Sequence, residues 1–482
     1  MKSNILSLSP KKVWYYFNEI CLIPRPSGAE EKIVQFLIDF AESHRLEYKK
    51  DEIGNVVIKK VAKKGLENKP IIVLQSHIDM VCEKNNETIH DFYTDPIIPY
   101  IDNEWVTANG TTLGGDDGIG VAAMLAVLDS DNLVHGPIEC LFTVDEERGL
   151  DGANALKSDF IDGRILLNLD SEEMGEIYIG CAGGKGTKIK IPLTFEQIPI
   201  DSIAIQIGVK GLRGGHSGDE IHKGLGNANK ILVRLLYKLQ KHCNLRLSSI
   251  QGGKQHNAIA REANANIFIP KIKADKFLEV FDVFNREVLV ELKAVDPEVK
   301  LYYNYIESDI HVIELNIQQK LISSLYSCPH GVIRMSDTLP GLVETSTNLA
   351  SVKMEEDYIL ITTSQRSSVS SSLEDVVNMV RCNFELVNGL VEHSTGYPGW
   401  NPNLDSPILN TLLTKYEELY KAKPEIKAIH AGLECGVLGE KFQGIDMVSF
   451  GPTLRNVHSP DEKLNIPSVS MFWELLIKVL AS

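Results

Sequence analysis

Residues 70–80 read PIIVLQSHIDM. The run from Pro70 to Ile78 is apolar until it ends in polar residues, which suits a β-strand buried on both faces of a sheet. At that end stand His77 and Asp79, two residues apart and so on the same side of the strand. Two later runs have the same form. Ile138–Val144 leads into Asp145, Glu146 and Glu147 within TVDEERG, and Ile165–Leu169 leads into Asp170 within LLNLDSE. Before them the glycine-rich turn GGDDG, with Asp116 and Asp117, opens a small-residue helix over Ile119–Leu128. Strand, polar loop and helix in repetition predict an α/β fold with a mainly parallel sheet. In such sheets, sites collect at the carboxyl ends of the strands.

Outward from this block the texture changes. On its N-terminal side, Ser9-Pro10 marks the start of a helix with Trp14, Phe17 and Ile20 on one face. Ala29–His44 reads as a second amphipathic helix, with Ile33, Phe36, Leu37 and Phe40 at helical spacing, and Asn55–Lys60 as a strand. On its C-terminal side, strands are expected at Lys188–Leu193, Ile203–Lys210, Ala263–Ile269, Ile310–Ile317 and Tyr358–Ser364. They alternate with helices at Gly226–His242, Lys276–Val290 and Ser372–Val387. Helix Pro407–Tyr420, strand Asp446–Phe450 and helix Pro467–Leu480 then restore the first texture. The expected organisation is one α/β domain, residues 1–184 with 397–482, interrupted by an inserted α+β domain over 185–396.

Composition narrows the function. Of 482 residues, 43% are hydrophobic and 24% charged, which is globular and neither disordered nor collagen-like. A net charge of −16, from 49 basic and 65 acidic residues, argues against a nucleic-acid partner. No stretch approaches the run of about 18 apolar residues that a membrane helix needs. The N-terminus lacks the apolar core of a secretory signal. The eight cysteines are scattered without a CxxC pair and read as reduced thiols. A cytoplasmic location with no membrane partner is the expectation.

Each acidic strand end alone has an ordinary reading, as a helix cap or a solvated face. Together they do not. A parallel sheet brings its carboxyl ends to one edge, where unbalanced carboxylates would repel and raise one another's pKa. A cation removes the problem, and His nitrogen with Asp and Glu oxygen suits zinc, cobalt or manganese. One His with three or four carboxylates is more charge than one zinc needs, which points to two metals sharing a bridge. His458, in NVHSPDE after the strand at Asp446–Phe450, is placed to supply the further nitrogen. Asp117 reads as the helix cap, and Asp145 and Cys435 as structural.

The order HxD, GxDDG, DEE, strand-ending Asp and late His resembles the dinuclear zinc peptidase superfamily of carboxypeptidase G-like enzymes, aminoacylases and carnosinases. Within it, the chain is similar to the bacterial aminoacyl-histidine dipeptidases. The shared segments run the length of the chain: IPRPSG (23–28), QSHIDMVCEKN (75–85), TTLGGDDGIGVA (111–122), GLRGGHSGDEIH (211–222), NAIAREA (257–263), HAGLECG (430–436) and NVHSPDE (456–462). The resemblance implies two divalent ions per chain, Zn2+ before Co2+ or Mn2+. Asp116 would bridge them, with His77 and Asp170 on one and Glu147 and His458 on the other. Glu146 would be the general base, and Asp79 would fix the His77 tautomer.

The resemblance also implies that the inserted domain is a lid and a homodimerisation surface. From it His216 would polarise the scissile carbonyl in the partner copy's site. Asn257, Arg261 and Arg366 are candidate substrate-binding residues of the lid, an Arg fork suiting the substrate's terminal carboxylate, and Glu434 is a candidate for its free amine. The implied activity is hydrolysis of small unblocked dipeptides, preferentially Xaa-His, by metal-activated water. The same scaffold acting on N-acyl amino acids or tripeptides is the nearest alternative. A non-catalytic scaffold is the alternative of another class, and would have lost the base or a ligand.

Overall fold

The computed structural model describes residues 4–307 and 311–482. They fall into two compact units. The first runs up to Cys181 and resumes at Trp400–Ala428 and Leu433–Ser482; the second is Ala182–Gly399 with Ile429–Gly432.

The first unit is built on an eight-stranded sheet in the order Glu47–Lys50, Val56–Lys60, Ile138–Thr143, Ile72–His77, Ile165–Asn168, Asp446–Ser449, Glu176–Cys181, Glu425–Ile429. Its four central strands, Ile138–Thr143 to Asp446–Ser449, are mutually parallel. The parallel expectation holds for this core only, because the strands beyond it on either side join antiparallel, making the sheet mixed. The helix Gly115–Leu128 is buried almost throughout, between the helix Lys11–Cys21 and the strand Ile72–His77. Its sequence GIGVAAMLAVL allows this, since small residues let both neighbours approach. A separate four-stranded sheet joins Leu454–Arg455, Lys463–Asn465, Trp105–Thr107 and Tyr100–Asp102.

The second unit is a nine-stranded antiparallel sheet. Its longest strand, Val343–Met354, lies between Arg246–Gly252 and Tyr358–Ser367. Helices Ala228–Cys243 and Ser370–Glu385 lie on this sheet, and Leu232, Leu236, Ile207, Ile267 and Phe284 share one apolar core. The strand expected at Ile310–Ile317 shrinks to Val312–Ile313, and a helix, Leu315–Ser327, takes over. Leu321, Ile322 and Leu325 explain the switch, because they bury one helical face. Ile310 lies outside the described residues. Among the described residues, no helix is long and apolar enough to cross a membrane.

Candidate active site

Three parallel strand ends and two loops of the first unit converge. His77 closes the strand Ile72–His77 with its ring 1% exposed. Its Nε2 lies 3.1 Å from Asp116 Oδ1 and 3.4 Å from Asp170 Oδ1, and its Nδ1 lies 3.3 Å from Asp79 Oδ1. Asp170 follows the neighbouring strand on one side, and Glu146 and Glu147 follow that on the other. Asp79 accepts the backbone N–H of Glu146 at 3.0 Å and of Glu147 at 3.3 Å, which ties two strand ends together. His458 sits in the loop between Leu454–Arg455 and Lys463–Asn465. Its Nε2 is 3.1 Å from Asp116 Oδ2 and 3.0 Å from Glu147 Oε1.

Asp116 owes its central place to the turn it sits in. Gly114 takes a left-handed φ of 69°, and Asp116 and Asp117 depart from helical angles before the helix becomes regular. Asp117 is buried, and its Oδ1 accepts the Gly120 N–H at 3.2 Å, the contact of a helix cap. Asp145 is held by both nitrogens of the Arg148 fork, and Cys435 is fully buried.

Besides the groups His77–Glu146–Glu147 and Glu30–Asp79–Asp145, two groups of potential ligands meet at one residue, His77–Asp116–Asp170 and Asp116–Glu147–His458, each with its ligand atoms within 4.8 Å of one another. They share Asp116 through different oxygens. In a tetrahedral zinc site with bonds of about 2.0–2.1 Å, ligand atoms stand about 3.3 Å apart. The N···O separations here, 3.0–3.4 Å, are of that size. The electrostatics agree. Burial lifts the Asp170 and Glu146 carboxyls well above the ordinary range, against the pull of His77, and neighbouring carboxylates add to the rise. Asp116 and Glu147 push the His458 imidazolium up to about 11. For Asp79 the contact with His77 outweighs burial and holds the carboxyl at about 2. A cation would relieve the first effect and displace the proton of the second.

Glu434 is 0% exposed, on the face of the strands Ile72–His77 and Ile138–Thr143. Its Oε2 accepts from Gln75 Nε2 at 2.5 Å and Thr143 Oγ1 at 2.8 Å. Burial pushes its carboxyl up to about 7. Its Oε1 is buried and has no hydrogen-bond partner.

The remaining expected residues belong to the second unit. His216 sits in a turn where glycine is required, since a Cβ at Gly218 would fall 2.3 Å from the His430 carbonyl. His216 Nδ1 is 3.1 Å from Asp219 Oδ2. Asn257 is exposed, and its carbonyl accepts the Ser217 N–H at 2.9 Å. Arg261 is exposed and donates Nε to the Leu212 carbonyl at 3.1 Å. Arg366 is buried, donates Nη1 to Tyr397 at 3.0 Å, and leaves Nε without a partner. It lines a cavity of about 510 Å3 together with Lys185, Lys188, Thr362 and His393. Of the two arginines, Arg366 is the buried one and the one that lines this cavity. The sequence reading passed over His430, buried with Nε2 on Ser346 Oγ at 2.7 Å, and two buried charges that grip the Asp116 turn, Arg25 and Glu462. The motifs that hold all three were visible; their burial was not.

Residues 73–482 match the family model of Peptidase family M20/M25/M40. The chain is 42% identical over 478 residues to the cytosol non-specific dipeptidase of Escherichia coli K12, covering 99% of each chain. It is similar to the solved structure of aminoacylhistidine dipeptidase from Vibrio alginolyticus, at 45% identity and a TM-score of 0.95 over 99% of this chain and 98% of that one. The aminopeptidase PepT of Bacillus cereus shares the fold at 18% identity, with a TM-score of 0.59 over 98% of both chains.

Proposed function

Because the chain belongs to peptidase family M20/M25/M40, we propose that it is a cytoplasmic metallo-dipeptidase that hydrolyses unblocked dipeptides, preferentially Xaa-His. The observation that carries this reading is Asp116, shared through different oxygens between the groups His77–Asp116–Asp170 and Asp116–Glu147–His458, with Glu146 beside them and grouped with His77 and Glu147. The names of the relatives agree on dipeptides and differ over the second residue. The Escherichia coli protein is called non-specific, and the Vibrio alginolyticus protein is named for aminoacylhistidines.

His77 and Asp170 would hold one ion, Glu147 and His458 the other, and Asp116 both, with Zn2+ favoured and Co2+ or Mn2+ suited to the same donors. Two divalent ions there would polarise the scissile carbonyl and bring the pKa of a water towards neutrality. Glu146 takes the proton of the attacking water and returns it to the leaving amine. Asp79 holds His77 Nδ1 and so directs Nε2 at the ligand position. His216, its Nδ1 on Asp219, donates from Nε2 to the developing oxyanion in the partner copy of a homodimer formed through the second unit. Arg366 takes the substrate's terminal carboxylate, with Asn257 and Arg261 as flanking candidates.

The test pairs metal content with hydrolysis of Ala-His, Gly-His, β-alanyl-His, Ala-Ala and acetyl-Ala, before and after chelation. About two ions per chain and chelator-sensitive cleavage of the free dipeptides are expected. Cleavage of acetyl-Ala alone would keep the site and replace the substrate. Neither metal nor hydrolysis would leave a scaffold protein.

A further inference from the structure

Two motifs, IPRPSG and NVHSPDE, each hold a charged residue that the catalytic reading leaves idle, Arg25 and Glu462. Both are 2% exposed. A buried charge is costly unless its hydrogen-bonding groups are satisfied, so what each one touches is informative.

Glu462 accepts four backbone N–H groups of one turn. Its Oε2 takes Leu113 at 2.8 Å and Gly114 at 3.0 Å, and its Oε1 takes Gly115 at 2.7 Å and Asp116 at 3.3 Å. These donors open a buried helix, where they have no partner of their own and where negative charge is favoured. Arg25 grips the same turn from its carbonyl side. Nη2 donates to Gly114 O at 2.5 Å, and Nη1 to Ile78 O at 3.0 Å and Asp79 O at 2.8 Å. Only glycine fits between them. A Cβ at Gly114 would fall 2.5 Å from Arg25 Nη2, and one at Gly115 would fall 2.8 Å from Leu454 and 3.2 Å from Glu462 Oε1.

The two grips lead to different places. Arg25 joins the Asp116 turn to the end of the His77 strand. Glu462 joins it to the loop that carries His458, four residues upstream. That loop is a hairpin with Leu454–Arg455 and Lys463–Asn465 as its arms. The second arm pairs with Trp105–Thr107, the strand that leads into the turn, and Thr107 Oγ1 donates to the Glu462 carbonyl at 2.7 Å. His77 closes an internal strand and is sealed by it. His458 stands at an exposed loop with its side chain 49% open.

We infer that Glu462 is a positioning residue that assembles the Asp116–Glu147–His458 group by fixing the His458 hairpin to the Asp116 turn, while Arg25 does the same for the His77 side. This rests on the dinuclear reading above and adds to it which residues hold each half in place.

The experiment titrates the full-length, metal-free chain with Co2+ by isothermal calorimetry. The wild type is expected to take up two ions. Glu462→Gln keeps the shape but sets an amide NH2 against backbone donors; it is expected to weaken one ion about 10–100-fold and leave the other unchanged. In a His458→Ala background, which retains only the His77 group, Glu462→Gln should have no further effect, whereas Arg25→Lys should weaken the remaining ion. Loss of both ions alike in Glu462→Gln, or of neither, overturns the assignment. If Glu462→Gln does not fold, Glu462→Asp, charged but one methylene shorter, is expected to give the same selective loss. If neither variant folds, Glu462 is a folding element and the assignment also fails. A wild type that takes up no Co2+ overturns the dinuclear reading itself, a distinct outcome.

Discussion

His77 and His458 offer the same ring nitrogen to the same carboxylate from opposite surroundings. His77 is enclosed with Asp79, Asp116, Asp170 and, deeper still, Glu434; His458 faces water. On the enclosed side the fold itself must balance every charge, because no solvent can. On the open side solvent screens what the protein leaves unpaired. The metal edge is thus a stability problem on one side and a ligand-binding surface on the other. The largest effect expected is one that ignores this division. Glu146→Gln should lower kcat on Ala-His by about 10²–10⁴-fold while both ions stay bound. If the variant instead loses an ion, Glu146 is a ligand, and the two halves must be redrawn around it.

The direct test of the division replaces each histidine in metal-free protein. His77→Ala leaves buried carboxylates without their counter-charge, which is expected to cost about 3–5 kcal/mol. His458→Ala also takes a partner from two nearly buried carboxylates, Asp116 and Glu147, but solvent reaches the gap it leaves, so the loss should be smaller than for His77→Ala. Urea unfolding followed by tryptophan fluorescence reads this cleanly, since Trp14, Trp105, Trp400 and Trp473 all lie in the first unit. Equal losses for the two variants would dissolve the comparison.

The strand ends were legible because buried parallel strands are continuous apolar runs, and carboxylates at the end of such runs stand out. His77, Glu146 and Asp170 could be placed that way, and His458 by its loop after a fourth strand. Polar strands leave no such trace. Val343–Met354, VETSTNLASVKM, is buried for most of its length yet carries Thr, Ser and Asn on both faces. It is stable there because its side chains pair across strands, Thr345 with Ser367 at 2.9 Å and Thr347 with Gln365 at 3.2 Å. Partners that distant in sequence cannot be read from local composition. The β-branched residues of Ile310–Ile317 misled in the opposite direction, since helical burial of Leu321 and Leu325 won the segment. Arg25, Glu434 and Glu462 sat in segments that could be recognised. Their effect depends on being buried against particular backbone and side-chain groups, which only the folded chain reveals.

Glu434 gives the finest test of the enclosed side. Burial raises its carboxyl from 4.5 to about 7, against the opposing pull of His77, Thr143 and Gln75. The folded chain therefore holds a proton that the unfolded chain has already lost between pH 4.5 and about 7. Stability must fall as pH rises through that window, and level off above it. Glu434→Gln has no proton to lose. It keeps an oxygen for Gln75 and Thr143, so in metal-free protein it should exceed the wild type by roughly 3 kcal/mol at pH 8. The gap should close as pH falls below 4.5. A gap of constant size would assign the effect to packing and not to charge. A variant less stable at every pH would mean that neighbouring groups hold the carboxylate ionised, so that the enclosed side is balanced within the protein even without a metal.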